Sequence, residues 1–126
     1  MADSERRKRG LTKFNEVYCG DLPAPPAGQM AFFDIMIEQL FGEVWTREAL
    51  ALRDRRLLTM GVLAALGEKD PFCIQVRSGL KNGEFSVDQV REMIIHLAPY
   101  AGYPRIAGLL GATEAVLKDF AKPAAG

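Results

Sequence analysis

Between Gln29 and Phe41 the apolar side chains Phe32, Phe33, Ile35, Met36, Ile37, Leu40 and Phe41 cover most of a helix circumference and leave only Asp34, Glu38 and Gln39 for water. A helix with this pattern is buried on more than one side, so other elements must surround it. No stretch of strand length alternates apolar with polar residues, and the remaining segments repeat at helical spacing. The predicted class is therefore all-α, a single-domain bundle of about six helices with short connections.

The other helices are delimited by their stop and start signals. Ser4 to Tyr18 carries Leu11, Phe14 and Val17 at helical spacing, behind a cationic start of Arg6, Arg7, Lys8 and Arg9 that reads as a solvated, partly frayed terminus. Pro23, Pro25 and Pro26 then impose a linker, so residues 1–27 form an arm helix and a proline-rich loop ahead of a helical core over 28–121. Gly42 to Thr46 reads as a turn, with Thr46 capping a short segment through Leu50. Arg53 to Leu66 is the most apolar helix, expected at the centre of the core and closed by Gly67. Pro71 falls in the first turn of a helix ending at Asn82-Gly83, and Ser86 with Gln89 forms a capping box for the next. Pro99 ends or kinks that helix, Pro104 opens the last one to about Phe120, and Gly108 and Gly111 suggest close helix packing. Residues 122–126 are expected to be a loose tail.

Composition excludes several function classes. The 126 residues carry 16 Lys plus Arg against 16 Asp plus Glu, so no basic excess favours a nucleic-acid partner. One histidine and two cysteines more than fifty positions apart fit no metal site and no Cys-x-x-Cys pair, so no metal is expected. The longest apolar run, Leu57 to Leu66, is too short for the roughly 20 residues that span a bilayer, which predicts no membrane partner. The charged start lacks the apolar stretch of a secretory signal, and a cytoplasmic location is the expectation. Ile95 lies off the Val90/Ile94/Leu97 stripe. With the apolar surface of residues 32–41 it gives more hydrophobic area than one small bundle covers, which predicts burial against a second subunit.

Few residues can carry chemistry. His96, one turn from Met93 and Tyr100, is either a core-edge histidine satisfied by a backbone carbonyl or a general acid or base in an apolar pocket. Arg53, Arg55 and Arg56 open a helix, where an arginine can snorkel, pair with Asp54 or Glu43, or clamp an anion. Which of the three faces a pocket is left open by the pattern, because one residue turns the helix by about 100°. Trp45 and Tyr100 serve either as packing residues or as pocket walls.

Five words carry a resemblance in register. They are Phe41-Gly42-Glu43-Val44-Trp45-Thr46-Arg47, Arg55-Arg56-Leu57-Leu58-Thr59, Ala64-Ala65-Leu66-Gly67, Leu80-Lys81-Asn82-Gly83, and the run from Glu92 through His96 and Tyr100 to Pro104. Over about residues 5–120 the chain resembles the carboxymuconolactone decarboxylase family. The resemblance implies an alkylhydroperoxidase-like all-α fold assembled as a homo-oligomer, a trimer or hexamer. It also implies a cofactor-free lyase that removes CO2 from a small anionic carboxylated lactone or keto acid in aromatic-compound degradation. Its catalytic residues would be His96 as proton donor and Arg55 on the carboxylate or enolate oxygen, with Trp45, Gln75 and Tyr100 binding substrate.

The family's thiol-peroxidase branch uses a glutamate, a Cys-x-x-Cys pair and a histidine, and those positions fall at Arg56, Glu68, Pro71 and Gln75. None matches, so peroxidase activity is not expected. Decarboxylases of the family usually carry histidine where this chain has Gln75, a side chain that cannot titrate. A divergent member that binds or isomerises a related molecule without decarboxylation is the alternative.

Overall fold

Helix α1 (Glu5–Val17) begins where Ser4 accepts the Arg7 amide hydrogen on its Oγ at 3.1 Å, an N-cap that satisfies one of the helix's free donors. The computed structural model describes residues 4–121; the expectation for 122–126 lies outside them. After α1 come α2 (Ala31–Ile35), a π-helix (Met36–Val44), α3 (Leu52–Leu66), α4 (Lys69–Lys81), α5 (Val87–Ala101) and α6 (Tyr103–Phe120). Among the described residues there is no strand, as the absence of period-two alternation predicts. None of these helices is long and apolar enough to cross a membrane. Contacts group the chain into two units that divide within α3, after Arg55.

In the first unit α1 buries Arg7, Gly10, Phe14 and Val17 on one face. Phe14, Val17, Ile37, Phe41 and Trp45 form its core, with Phe14 edge-on to Phe41 and Trp45 stacked on Phe41 at 6.1 Å. The start of α1 is solvated as expected at Arg6, Lys8 and Arg9, but it is capped rather than frayed and Arg7 turns inward. Arg7 is buried and donates through Nη2 to the Pro25 carbonyl at 3.0 Å and through Nη1 to Asp34 at 3.5 Å. Asp34 also accepts the Gly28 amide, so one carboxylate fastens the proline loop to α1.

The helix expected over 29–41 starts at Ala31 and changes to i→i+5 bonding, continuing through the predicted turn at Gly42. Its last such bond runs from the Trp45 amide to the Leu40 carbonyl at 2.9 Å. Thr46 caps nothing: its hydroxyl donates back to the Gly42 carbonyl at 2.9 Å, and residues 48–50 are turn and bend. Glycine permits the close approach of this helix to α1. A Cβ on Gly10 would strike the Ile37 carbonyl oxygen, and one on Gly42 would lie 2.9 Å from the Arg6 carbonyl oxygen. Gly10→Ala is expected to cost about 1–3 kcal/mol by overpacking, read as a lower urea midpoint.

The second unit holds the larger core, with Met60, Ala64, Phe72, Val76, Val90, Ile94, Ile106, Leu109 and Leu117 at its centre. Ser86 and Gln89 make the expected capping box at the start of α5, at 3.1 and 2.9 Å. Gly67 (φ 72°) and Gly83 (φ 69°) take the left-handed conformation after α3 and α4, as C-terminal signals should. Arg91 donates to both Glu114 oxygens at 3.0 Å, clipping α5 to α6; that hydrogen bond holds the Glu114 carboxyl below the usual carboxylate range.

Three expectations change here. Pro99 sits inside α5, which runs on to Ala101 at the loss of one backbone bond, and Gly102 (φ 107°) ends it. Gly108 and Gly111 mark no close packing, since a Cβ at either meets nothing within 4 Å; the close approach is at Gly79, where a Cβ would enter the Phe85 ring. α3 is not a fully buried central helix: it buries Arg56, Met60 and Ala64 and leaves Leu58, Val62 and Leu66 exposed, an i, i+4, i+8 stripe.

Candidate active site

Two matching triplets build a cavity inside the second unit. Leu57, Met60 and Gly61 on α3, and Met93, His96 and Leu97 on α5, share the i, i+3, i+4 spacing that puts three side chains on one helix face. Phe72 of α4 closes the floor, and the half-open space is about 190 Å³. Roughly 150 Å³ suffices for a benzene-sized molecule. His96 is the only titratable side chain on this lining, and its ring lies 5.3 Å from that of Tyr100, which is itself exposed on the next turn. An imidazole at the rim of an apolar hollow can exchange a proton with the occupant while reaching solvent on its other edge.

Behind this wall lies a buried ion pair. Arg56, completely buried, donates through Nε and Nη2 to the two Glu84 oxygens at 2.7 and 3.0 Å, and through Nη1 to Gln75 Oε1 at 2.8 Å. Asn82 Nδ2 donates to Glu84 Oε2 at 2.7 Å. The pair is anchored to the cavity helices, since Arg56 precedes Leu57 on α3 and Gln75 follows Phe72 by one turn on α4. Both guanidinium edges are engaged, so Arg56 acts as a structural cation rather than an open anion clamp.

The sequence-selected residues divide accordingly. His96, Tyr100 and Gln75 belong to the second unit: His96 lines the cavity, Tyr100 neighbours His96, and Gln75 is buried with its oxygen held by Arg56. Trp45 and Arg55 belong to the first unit. Trp45 is packed in its core, and Arg55 donates through Nη2 to the Arg47 carbonyl at 2.9 Å. Of the three arginines that open α3, Arg56 is the buried one. Sequence reasoning missed Leu57, Met60, Gly61 and Phe72 as lining and Glu84 as the partner of Arg56. The paired i, i+3, i+4 triplets were the available signal for the lining.

Among the described residues, no three His, Cys, Asp or Glu side chains gather where they would hold a metal ion. Cys73 is half-buried, with Sγ 4.0 Å from the Thr113 hydroxyl; burial pushes its thiol above the ordinary range, against the opposing effect of that hydroxyl. The thiolate fraction at pH 8 is accordingly below that of a free cysteine. Iodoacetamide should alkylate Cys73 more slowly than it alkylates glutathione, with the rate still climbing at pH values where glutathione levels off.

Relatives extend what this geometry suggests. A protein of Acinetobacter baylyi named 4-carboxymuconolactone decarboxylase is 38% identical over 125 residues, covering 94% of this chain and 92% of its own. Nitrosuccinic acid decarboxylase of Metarhizium robertsii is 28% identical over 88 residues, 68% of this chain and 59% of its own length. The pattern of the carboxymuconolactone decarboxylase family matches residues 31–115, a span that includes His96 and every residue lining the cavity. With most of the chain matched and likeness to the first relative running nearly end to end, the chain belongs to the carboxymuconolactone decarboxylase family.

Proposed function

We propose that this protein is a cofactor-free decarboxylase acting on a small anionic carboxylated lactone or keto acid, with 4-carboxymuconolactone the first substrate to test. The observation that carries the reading is a lone titratable side chain, His96, on an apolar cavity of about 190 Å³. Support also comes from two relatives named as decarboxylases. In the proposed step the bond from the ring carbon to the carboxylate breaks and CO2 leaves. The electron pair moves into the unsaturated lactone, and a proton from His96 in its protonated form returns to carbon. The stoichiometry is one carboxylate and one proton in, one C–H and one CO2 out. Tyr100, whose ring neighbours that of His96, belongs to the same proposal as a wall of the site, and Gln75 supports the cavity helices through Arg56 rather than touching substrate. CO2 release from 4-carboxymuconolactone by the purified protein tests it, and no release at saturating substrate would reject it.

A second reading is favoured by one feature. Gln75 cannot titrate and its oxygen is held by Arg56, so a proton relay through this position is closed. If the chemistry needs two titrating groups, the cavity binds or isomerises a related molecule without decarboxylation. That reading predicts saturable binding of the lactone with no CO2.

Self-association completes the proposal. Ile95 is 63% exposed on the chain and borders, with Ala98, Tyr103, Ile106 and Leu110, a second apolar depression of about 250 Å³. We assign this surface to contact between copies in a homo-oligomer, a trimer or hexamer, for a protein of the cytoplasm with no membrane or nucleic-acid partner. Ile95→Glu should shift the sedimenting species to a smaller assembly, and an unchanged sedimentation coefficient would count against this surface.

A further inference from the structure

Gly61 lies well inside α3, and an interior glycine weakens a helix relative to alanine because it surrenders more backbone freedom on folding. Where glycine persists inside a helix, a neighbour usually forbids a methyl group. Gly10 and Gly79 have such neighbours, the Ile37 carbonyl and the Phe85 ring. Gly61 has none: a Cβ built there meets nothing within 4 Å, and its φ is not in the left-handed region. Gly108 and Gly111 are equally open but do not border the cavity, whereas Gly61 stands in its wall beside Leu57 and Met60, with His96 on the facing helix.

We propose that Gly61 is a specificity-determining residue of this cavity, its missing side chain leaving room for the ring of the ligand. The inference rests on the reading of the cavity as the substrate site. The lining also defines which part of the ligand enters. Leu57, Met60, Phe72, Met93 and Leu97 offer hydrocarbon and thioether, and His96 is the one lining group able to carry a positive charge, so the rest of the space holds no partner for an anion. A carboxylate among these apolar side chains, away from His96, would lose its hydration without a partner, so the portion that enters them is an uncharged, ring-sized group, and the anionic ends stay on the His96 side or at the mouth. An added methyl at position 61 then takes space from the ligand rather than from the protein.

Gly61→Ala and Gly61→Val separate the two roles, because helix stability and ligand fit should move in opposite directions. The probes are phenol, a neutral ring followed through the Met60 and Met93 methyl resonances, and 4-carboxymuconolactone turnover. Gly61→Ala should raise the melting temperature by roughly 2–5 °C while weakening phenol binding and raising KM about tenfold, with kcat changed less. Gly61→Val should abolish the phenol shifts. An alanine variant that binds phenol like the parent and keeps its KM would overturn the proposal. So would one whose sedimentation changes, which would assign Gly61 to a contact between copies instead. If the parent binds phenol and the alanine variant does so weakly, but neither releases CO2, the cavity proposal stands and the decarboxylase reading fails. If phenol leaves the parent's methionine methyls unmoved, the proposal falls whatever the turnover.

Discussion

Glu84→Ala should lower the unfolding free energy by about 3–5 kcal/mol, measured by urea denaturation at one fixed protein concentration. The loss is large because Arg56 is completely buried and would be left with a guanidinium whose main charge partner is gone. Small domains are held by only about 5–15 kcal/mol, so the variant should be near its limit at ambient temperature. The penalty lies in the orphaned cation rather than in the bond itself. Converting both partners together, Arg56→Met with Glu84→Leu, should therefore recover most of the lost stability. A double variant no more stable than Glu84→Ala would show instead that the pair holds α3 against the Asn82–Glu84 turn by its geometry. Gln75→Ala removes only the amide acceptor at 2.8 Å and should be milder than either single charge deletion.

His96→Gln carries the other large expected effect. If the imidazole delivers the proton to carbon, its loss should reduce kcat by about 10²–10⁴-fold, with assembly and melting behaviour close to the parent. The glutamine keeps hydrogen-bonding capacity and similar bulk but cannot titrate, so the loss reports proton transfer rather than packing. Because His96 is exposed and belongs to neither buried core cluster, the substitution should leave the fold intact. Turnover within a few-fold of the parent would remove His96 from the reaction and favour a cavity that only binds.

How much of this was legible in the sequence follows from how far apart the interacting residues stand. The Ser86–Gln89 box and the glycines at 67 and 83 each settle with near neighbours, and local pattern reading finds them. The Arg56–Glu84 pair spans 28 positions and Arg7–Pro25 spans 18, and nothing in the local sequence marks either arginine as buried. Residues 36–44 look α-helical because apolar periodicity does not distinguish i→i+4 from i→i+5 bonding, and the pattern is equally silent on how closely Gly10 and Gly42 let two backbones approach. α3 misled for a different reason. Leu58, Val62 and Leu66 are as apolar as core residues, but hydropathy cannot separate a side chain buried in its own chain from one left exposed on it. At the site, the only histidine was found because it is the only one, whereas Gly61 carries no side chain to draw attention.

The most direct test of the central claim is NMR of the parent protein and His96→Gln with 4-carboxymuconolactone in D2O. The proposed chemistry expects the parent to convert the lactone to its decarboxylated enol-lactone with one deuterium at the protonated carbon, and the variant to leave the substrate unchanged. Unchanged lactone with the parent, its resonances broadened by exchange with the bound state, would contradict decarboxylation and leave a binding site whose chemistry is different.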